Sequence, residues 1–216
     1  FFLFLAAVCL LVADASPRKK TKLEKGPSSS GNAESTLGLT PQNQWAARHK
    51  DLTLTDGLIV QSIGEKREWR SVFAEQPIPK NPPGNFYYEV KISGKEGYIY
   101  IGLAQLGKPV GLSKGTYAYA SNGYIWGHEA GRYSHAKDGR LFISENPKFG
   151  DGNIIGCGVN LEKHQIFYTL NGKRLETPDL RVDSAADLYP CVTWYYPGTK
   201  IAANFGPNFY EIADAI

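Results

Sequence analysis

Methionine is absent from the 216 residues, cysteine occurs three times and histidine four times. Without a methionine the chain lacks its initiator, so further residues are expected to precede Phe1. The histidines, His49, His128, His135 and His164, are scattered. None stands in an H-E-x-x-H or Cys/His ligand spacing, so no metal is expected and each reads as a surface or loop residue. No G-x-S-x-G elbow offers an activated serine. Asp183 and Asp187 sit in a polar turn, where paired acids are ordinarily solvated. Long Ala/Leu/Glu-rich runs are missing as well, which argues against a helical bundle.

One apparent phosphate loop needs to be weighed. Gly102 to Lys108 (GLAQLGK) fits G-x-x-x-x-G-K, but Pro109 stands where a Ser or Thr hydroxyl would bind magnesium. The apolar run Ile99–Leu103 continues through the first glycine as a strand, and no helical pattern follows it. The motif works only between a strand and a helix, so neither a nucleotide nor any other cofactor is expected. The sequence does not read as an enzyme.

Charge excludes two further partners. The formal net charge is +3. Asp14 carries −1, and Arg18–Lys25 carry a net +4, which leaves Gly26–Ile216 formally neutral. A neutral body gives no electrostatic basis for binding nucleic acid or an anionic membrane.

The N-terminus begins with an apolar run, Phe1–Val12, too short to span a bilayer and followed by Ala13-Asp14-Ala15. This fits a secretory signal peptide over residues 1–15, cleaved before Ser16. Residues 16–40 are polar, rich in Ser, Gly and Pro, and bury too little apolar surface to order, so a disordered leader is expected. Within it, Lys19-Lys20-Thr21-Lys22 reads as a solvated linker or a short nuclear-import signal. Cleavage removes Cys9. Cys157 and Cys191 then remain, both in apolar strand contexts, and sequence alone does not settle whether they pair. The chain also has no Asn-x-Ser/Thr site. A secreted protein without glycan sites or a disulfide framework suggests work in a reducing compartment after export.

What is present is glycine (23), tyrosine (13) and a set of period-two runs. In Gly150–Leu175, Ile155, Cys157, Val159 and Leu161 alternate with Gly156, Gly158 and Asn160, and Ile166, Tyr168 and Leu170 resume the pattern. Asn171-Gly172 closes it with a strong hairpin signal. Phe86, Tyr88, Val90 and Ile92 predict a strand whose other face, Tyr87, Glu89 and Lys91, points outward. Leu58–Ile63, Ser71–Ala74, Tyr98–Leu103, Gly123–Trp126, Leu141–Ile143, Leu188–Trp194 and Lys200–Phe205 read as further strands. Gln76–Gly84 is a proline-bound loop, Gln105–Ser121 reads as irregular, and His128–Lys148 as a long loop region. Roughly ten strands predict an all-β, two-sheet antiparallel β-sandwich over residues 44–210, with helices only short and peripheral.

These motifs carry a resemblance. Val72-Phe-Ala-Glu-Gln-Pro-Ile-Pro79, Phe86-Tyr-Tyr-Glu-Val-Lys-Ile92 and Gly97-Tyr-Ile-Tyr-Ile-Gly-Leu-Ala104 resemble the opening of a SPRY domain. Gly152-Asn-Ile-Ile-Gly-Cys-Gly-Val-Asn-Leu161, Phe167-Tyr-Thr-Leu-Asn-Gly172, Leu188-Tyr-Pro190 and Ala203-Asn-Phe-Gly206 resemble its second half, in the Ran-binding-protein-M variety. With the signal peptide, Trp45-x-x-x-His49-Lys50-Asp51-Leu52 and Pro77-Ile-Pro-Lys80, the layout is similar to the secreted SPRY proteins (SPRYSECs) that plant-parasitic cyst nematodes deliver into host cells.

The resemblance implies a concanavalin-like sandwich that binds other proteins through loops at one end, without catalysis. It implies a monomeric effector that acts in host cytoplasm or nucleus and modulates immunity. Host proteins, among them immune receptors or ubiquitin-pathway components, would be its partners. The protein-binding residues it points to are Tyr195, Tyr196 and Pro197, with Pro197 standing where some peptide-binding relatives carry Trp-Gly. The loops of Gln76 and Pro77 and of Ser121-Asn122-Gly123-Tyr124 are expected at the same rim. Large rings on a loop suit a binding hot spot, although one tyrosine could instead pack over the sandwich edge. Two alternatives stand beside this reading: a lectin-type carbohydrate-binding sandwich and a recruiting scaffold of a ubiquitin-ligase assembly.

Overall fold

The computed structural model describes residues 43–210 except 47–48, 81–82, 95–96, 128–133, 136–138, 140 and 177–179. The expected signal peptide, the leader with Lys19–Lys22, and His128 lie outside the described residues. Fifteen strands occur among those described, and no helix. The first five are β1 (Trp45–Ala46), β2 (Leu52–Thr55), β3 (Ile59–Ser62), β4 (Arg70–Ala74) and β5 (Asn85–Ser93). Next come β6 (Ile99–Ala104), β7 (Tyr117–Ala120), β8 (Ile125–Trp126), β9 (Ser134–His135) and β10 (Leu141–Ile143). The last are β11 (Ile154–Asn160), β12 (Gln165–Leu170), β13 (Lys173–Arg174), β14 (Tyr189–Trp194) and β15 (Lys200–Asn204).

The strands form two antiparallel sheets. An eight-stranded sheet runs β1-β4-β14-β6-β7-β8-β10-β9, and a seven-stranded sheet runs β13-β12-β11-β5-β15-β3-β2. The hairpin expected at Asn171-Gly172 joins β12 to β13. Both of its turn residues take positive φ, 49° and 75°, as a two-residue turn matched to strand twist requires.

The core lies between the sheets, where alternate residues of each meet. Val72, Ile101, Leu103, Tyr119, Val192 and Trp194 come from the eight-stranded sheet. Val60, Tyr88, Val90, Ile155, Cys157, Tyr168 and Ile201 come from the seven-stranded one. All are buried, and each large apolar side chain contributes about 1.5–3 kcal/mol. A hydrogen bond crosses the interior: the Tyr88 hydroxyl donates to the Gly102 carbonyl over 2.7 Å. Gly102 must be a glycine, because a Cβ there would sit 1.8 Å from the Tyr117 carbonyl oxygen on β7.

Several expectations need correction. Residues 105–121 are not wholly irregular, since β7 lies within them. Its alternating Tyr117-Ala118-Tyr119-Ala120 points rings inward and leaves small alanines on the other face, where Ala118 packs with Val110 of the preceding loop. Tyr87 and Glu89 do not face water; both are buried. The Tyr87 hydroxyl donates to Glu89 at 3.2 Å, and the Tyr210 backbone N–H donates to the same carboxylate at 2.6 Å. Phe209 meets the Tyr87 ring edge-on at 4.9 Å. A segment some 120 positions later in the chain therefore covers that face. The expected peripheral helices do not appear among the described residues.

The final two long strands are not a hairpin. β14 belongs to one sheet and β15 to the other, so Tyr195–Thr199 carries the chain across the sandwich. Thr199 is buried, its hydroxyl donates to the Tyr196 carbonyl at 3.2 Å, and its own carbonyl accepts from the Ser62 N–H.

Candidate protein-binding site

Register fixes where the rings gather. Trp194 pairs with Arg70 on β4 and with Ile99 on β6, all three buried. One residue beyond each of these, Tyr195, Trp69 and Tyr98 come together on the outer side of the sheet. The ladder continues past the strands: the Tyr195 N–H donates to the Tyr98 carbonyl, and the Glu68 N–H donates to the Tyr195 carbonyl, both over 3.1 Å.

The resulting cluster has five rings. Trp69 lies 5.0 Å from Tyr195, 5.6 Å from Tyr100 and 6.4 Å from Tyr98, centroid to centroid. Tyr196 stacks on Tyr98 at 6.3 Å and meets Tyr195 edge-on at 5.4 Å. Trp69 is 38 % and Tyr98 51 % exposed, whereas Trp45 and Trp194 are fully buried. Tyr195, Tyr196 and Pro197 are half-buried. Tyr196 can lie where it does because residue 97 is glycine; a Cβ there would fall 2.2 Å from its ring.

A buried cation shapes the approach to these rings. The Arg70 side chain is fully buried, and its guanidinium donates to the carbonyls of Glu68 and Lys66 at 3.1 and 3.0 Å. It also pairs with the Glu68 carboxylate at 3.0 Å and with Asp51 at 3.8 Å. This locks residues 66–68 against the sheet and sets Arg67 with its guanidinium carbon 5.2 Å from the centroid of Tyr196. Arg67 itself is exposed.

The other expected residues divide between the two ends. Asn122 and Tyr124 occupy the β7–β8 turn, at the same end of the sheet as Tyr195. Asn122 is exposed, and its side-chain oxygen accepts the Tyr124 N–H at 3.3 Å. Tyr124 belongs to a second ring group, stacked on Phe142 at 4.9 Å with Trp126 beside it. Gln76 and Pro77 do not share this rim. They follow β4, which runs antiparallel to β14, so they leave the sheet at the opposite end. There Asn43 holds the Gln76 backbone, and Ile78 N–H donates to the Leu188 carbonyl.

Arg67, Trp69, Tyr98 and Tyr100 were not singled out from sequence as binding residues. The signal that points to Trp69 and Tyr98 is an aromatic one position before each of the two strands that flank β14, visible only once the register is known. A small, shallow hollow also exists, lined by Ile78, Leu161, Val182 and Ala186, but it lies at the Gln76 end, away from the rings. Among the described residues no group of three or more His, Cys, Asp or Glu is placed to hold a metal ion. Cys157 and Cys191 are free thiols, the first in the inter-sheet core and the second in a small cluster with Ala104, Val110 and Ala118.

Comparison with known proteins places this architecture. A family model described as SPRY domain matches residues 85–208. Ran-binding protein 9 of Xenopus tropicalis is 35 % identical over 196 residues, covering 82 % of this chain and 32 % of that protein. Ran-binding protein 9 of Homo sapiens is 36 % identical over 158 residues, covering 67 % of this chain and 19 % of that protein. The chain therefore spans a third or less of the length of these relatives. The crystal structure of a human SPRY domain has the same fold, with a TM-score of 0.56 at 24 % identity, covering 74 % of this chain and 98 % of that one. Arg67 and Trp69 precede the matched span.

Proposed function

The chain belongs to the SPRY family of protein-interaction modules, and from that premise we propose that it captures partner proteins on the Trp69–Tyr98–Tyr195–Tyr196 surface. The observation that carries this is the exposure of Trp69 and Tyr98 within a five-ring cluster held on strand ends. Large rigid rings lose little side-chain entropy on binding and commonly supply most of an interface's energy. Tyr195 and Tyr196 serve here as binding groups and Pro197 stiffens their loop. Asn122 and Tyr124 form a secondary contact farther along the same end. Gln76 and Pro77, at the opposite end, are left out.

The wider setting is a secreted effector. The Phe1–Val12 run and its Ala13-Asp14-Ala15 site support export, and the neutral body favours protein over nucleic acid as target. In this reading the protein reaches host plant cytoplasm or nucleus and binds host proteins that act in immunity. Proximity labelling in host tissue tests the surface. Trp69→Ala and Tyr196→Ala should each lower recovery of the labelled partners at least about tenfold with the domain still folded. Equal recovery from both variants contradicts the assignment. Export has its own check: the secreted chain should begin at Ser16, and an uncleaved, retained product would overturn it.

A further inference from the structure

Resting on that surface, we propose that its preferred partner is an extended peptide segment carrying a carboxylate next to a large apolar side chain. The apolar group lies on Trp69 and Tyr98, and the carboxylate pairs with Arg67.

Arg67 forms none of the ion pairs found among the described residues. The ion pairs among the described residues are Arg70 with Asp51 and Glu68, and Lys80 with Asp187. The neighbouring carboxylate of Glu68, and that of Asp51, are thus committed to the buried Arg70. Glu65 and Lys66 are both exposed and carry opposite formal charges, and neither appears in an ion pair among the described residues. Among the described residues, Arg67 is engaged by the Tyr196 ring alone. A ring face restrains a guanidinium without neutralising it and leaves the in-plane N–H edge free, the edge that takes a carboxylate through two parallel hydrogen bonds. The backbone on either side is fixed, because the carbonyls of Lys66 and Glu68 accept from Arg70. The cation is therefore set in place before a partner arrives, which removes part of the ordering loss on binding.

The apolar half adjoins it. Tyr98, the most exposed ring of the cluster, stacks on Tyr196, the ring that holds Arg67. The neighbouring edge of Trp69 extends the apolar floor. A partner residue on this floor and an acid one or two positions away would reach the ring and the guanidinium together. A basic segment would meet an unneutralised positive charge at the same corner.

The test is selection of phage-displayed random twelve-residue peptides on the full chain, followed by anisotropy titration of the enriched peptide made synthetically. Enriched sequences should place Asp or Glu within about two positions of Phe, Trp, Tyr, Leu or Ile. Exchanging that acid for its amide should weaken binding by about ten- to a hundredfold, as expected for a charge-assisted bidentate contact. Arg67→Glu should abolish binding of the acidic peptide and restore it when the acid is exchanged for Lys. Arg67→Lys should keep part of the affinity. Arg67 is exposed, so these variants should melt with the wild type.

Two results would overturn the inference in distinguishable ways. Peptides that depend on Trp69 and Tyr196 but tolerate both the amide and Arg67→Glu would refute the charge pairing and leave the ring surface standing. Peptides indifferent to Tyr196→Ala, or no enrichment at all, would refute the surface together with it.

Discussion

Replacing Arg70 with alanine tests the link between the buried ion cluster and the exposed rings. The side chain makes three hydrogen bonds, two to carbonyls and one to Glu68, and has Asp51 at 3.8 Å. Removing one partner of a buried ion pair commonly costs about 3–5 kcal/mol, because the remaining charge is left without compensation. Here the two carboxylates are 40 % and 27 % exposed and can take up water, which argues for the lower end. Arg70→Ala should therefore destabilise by about 3 kcal/mol, or about 6–12 °C in Tm for a chain of this size. Urea unfolding followed by circular dichroism and tryptophan emission reads this directly, with m unchanged if unfolding stays two-state. In the folded variant the 66–68 backbone loses its anchor, so Trp69 should become more accessible to acrylamide while Trp45 and Trp194 stay protected. A Tm within about 1 °C of wild type, or unchanged quenching, would refute the claim that Arg70 holds the surface together.

Three other outcomes are expected. Ile155→Asp places an unpaired charge in a fully buried position between the sheets and should abolish cooperative melting; a near wild-type transition would overturn the β11 register. Burial pushes the Cys191 thiol up to about 12 and Cys157 higher still, so a thiol reagent at pH 8 should label neither until urea is added. Because an exposed thiol ionises near pH 8.5, the stability these groups contribute is complete below that value and declines as pH rises toward the folded values. A pH–melting profile that stays flat from 8 to 11 contradicts this. Gly97→Ala should displace the Tyr196 ring and lower partner affinity about tenfold with little change in Tm, measured by the same titration as the Arg67 variants.

The parts of the fold written in local chemistry were legible. Ile155, Cys157 and Val159 alternate strictly, and Asn171-Gly172 turns the chain without help from elsewhere, so β11, β12 and their hairpins could be read from residues alone. β7 could not: its alanines carry little apolar signal, and Ala118 is buried against Val110 of the preceding loop. Glu89 is buried for the same kind of reason, since its cover comes from Tyr210 and the neighbouring Phe209. The site was legible by half. Tyr195, Tyr196 and Tyr124 stood out as rings in loops, while Trp69 and Tyr98 needed the β4–β14–β6 register to meet. Gln76 and Pro77 stand apart from the rings for a simpler reason: loops that follow antiparallel neighbours leave a sheet at opposite ends.

The crossing of Tyr195–Thr199 from one sheet to the other constrains how such a surface can diversify. Surface loops ordinarily tolerate insertions and deletions. This one spans a fixed gap, with Thr199 buried at its far side, and added or lost residues would pull β14 or β15 out of step with its neighbours. New specificity must therefore arise by exchanging side chains at constant loop length. A lineage under pressure to change partners would show rapid substitution at positions 195 to 197 and almost no gaps there, whereas the β7–β8 turn, which joins neighbours within one sheet, is free to vary in both.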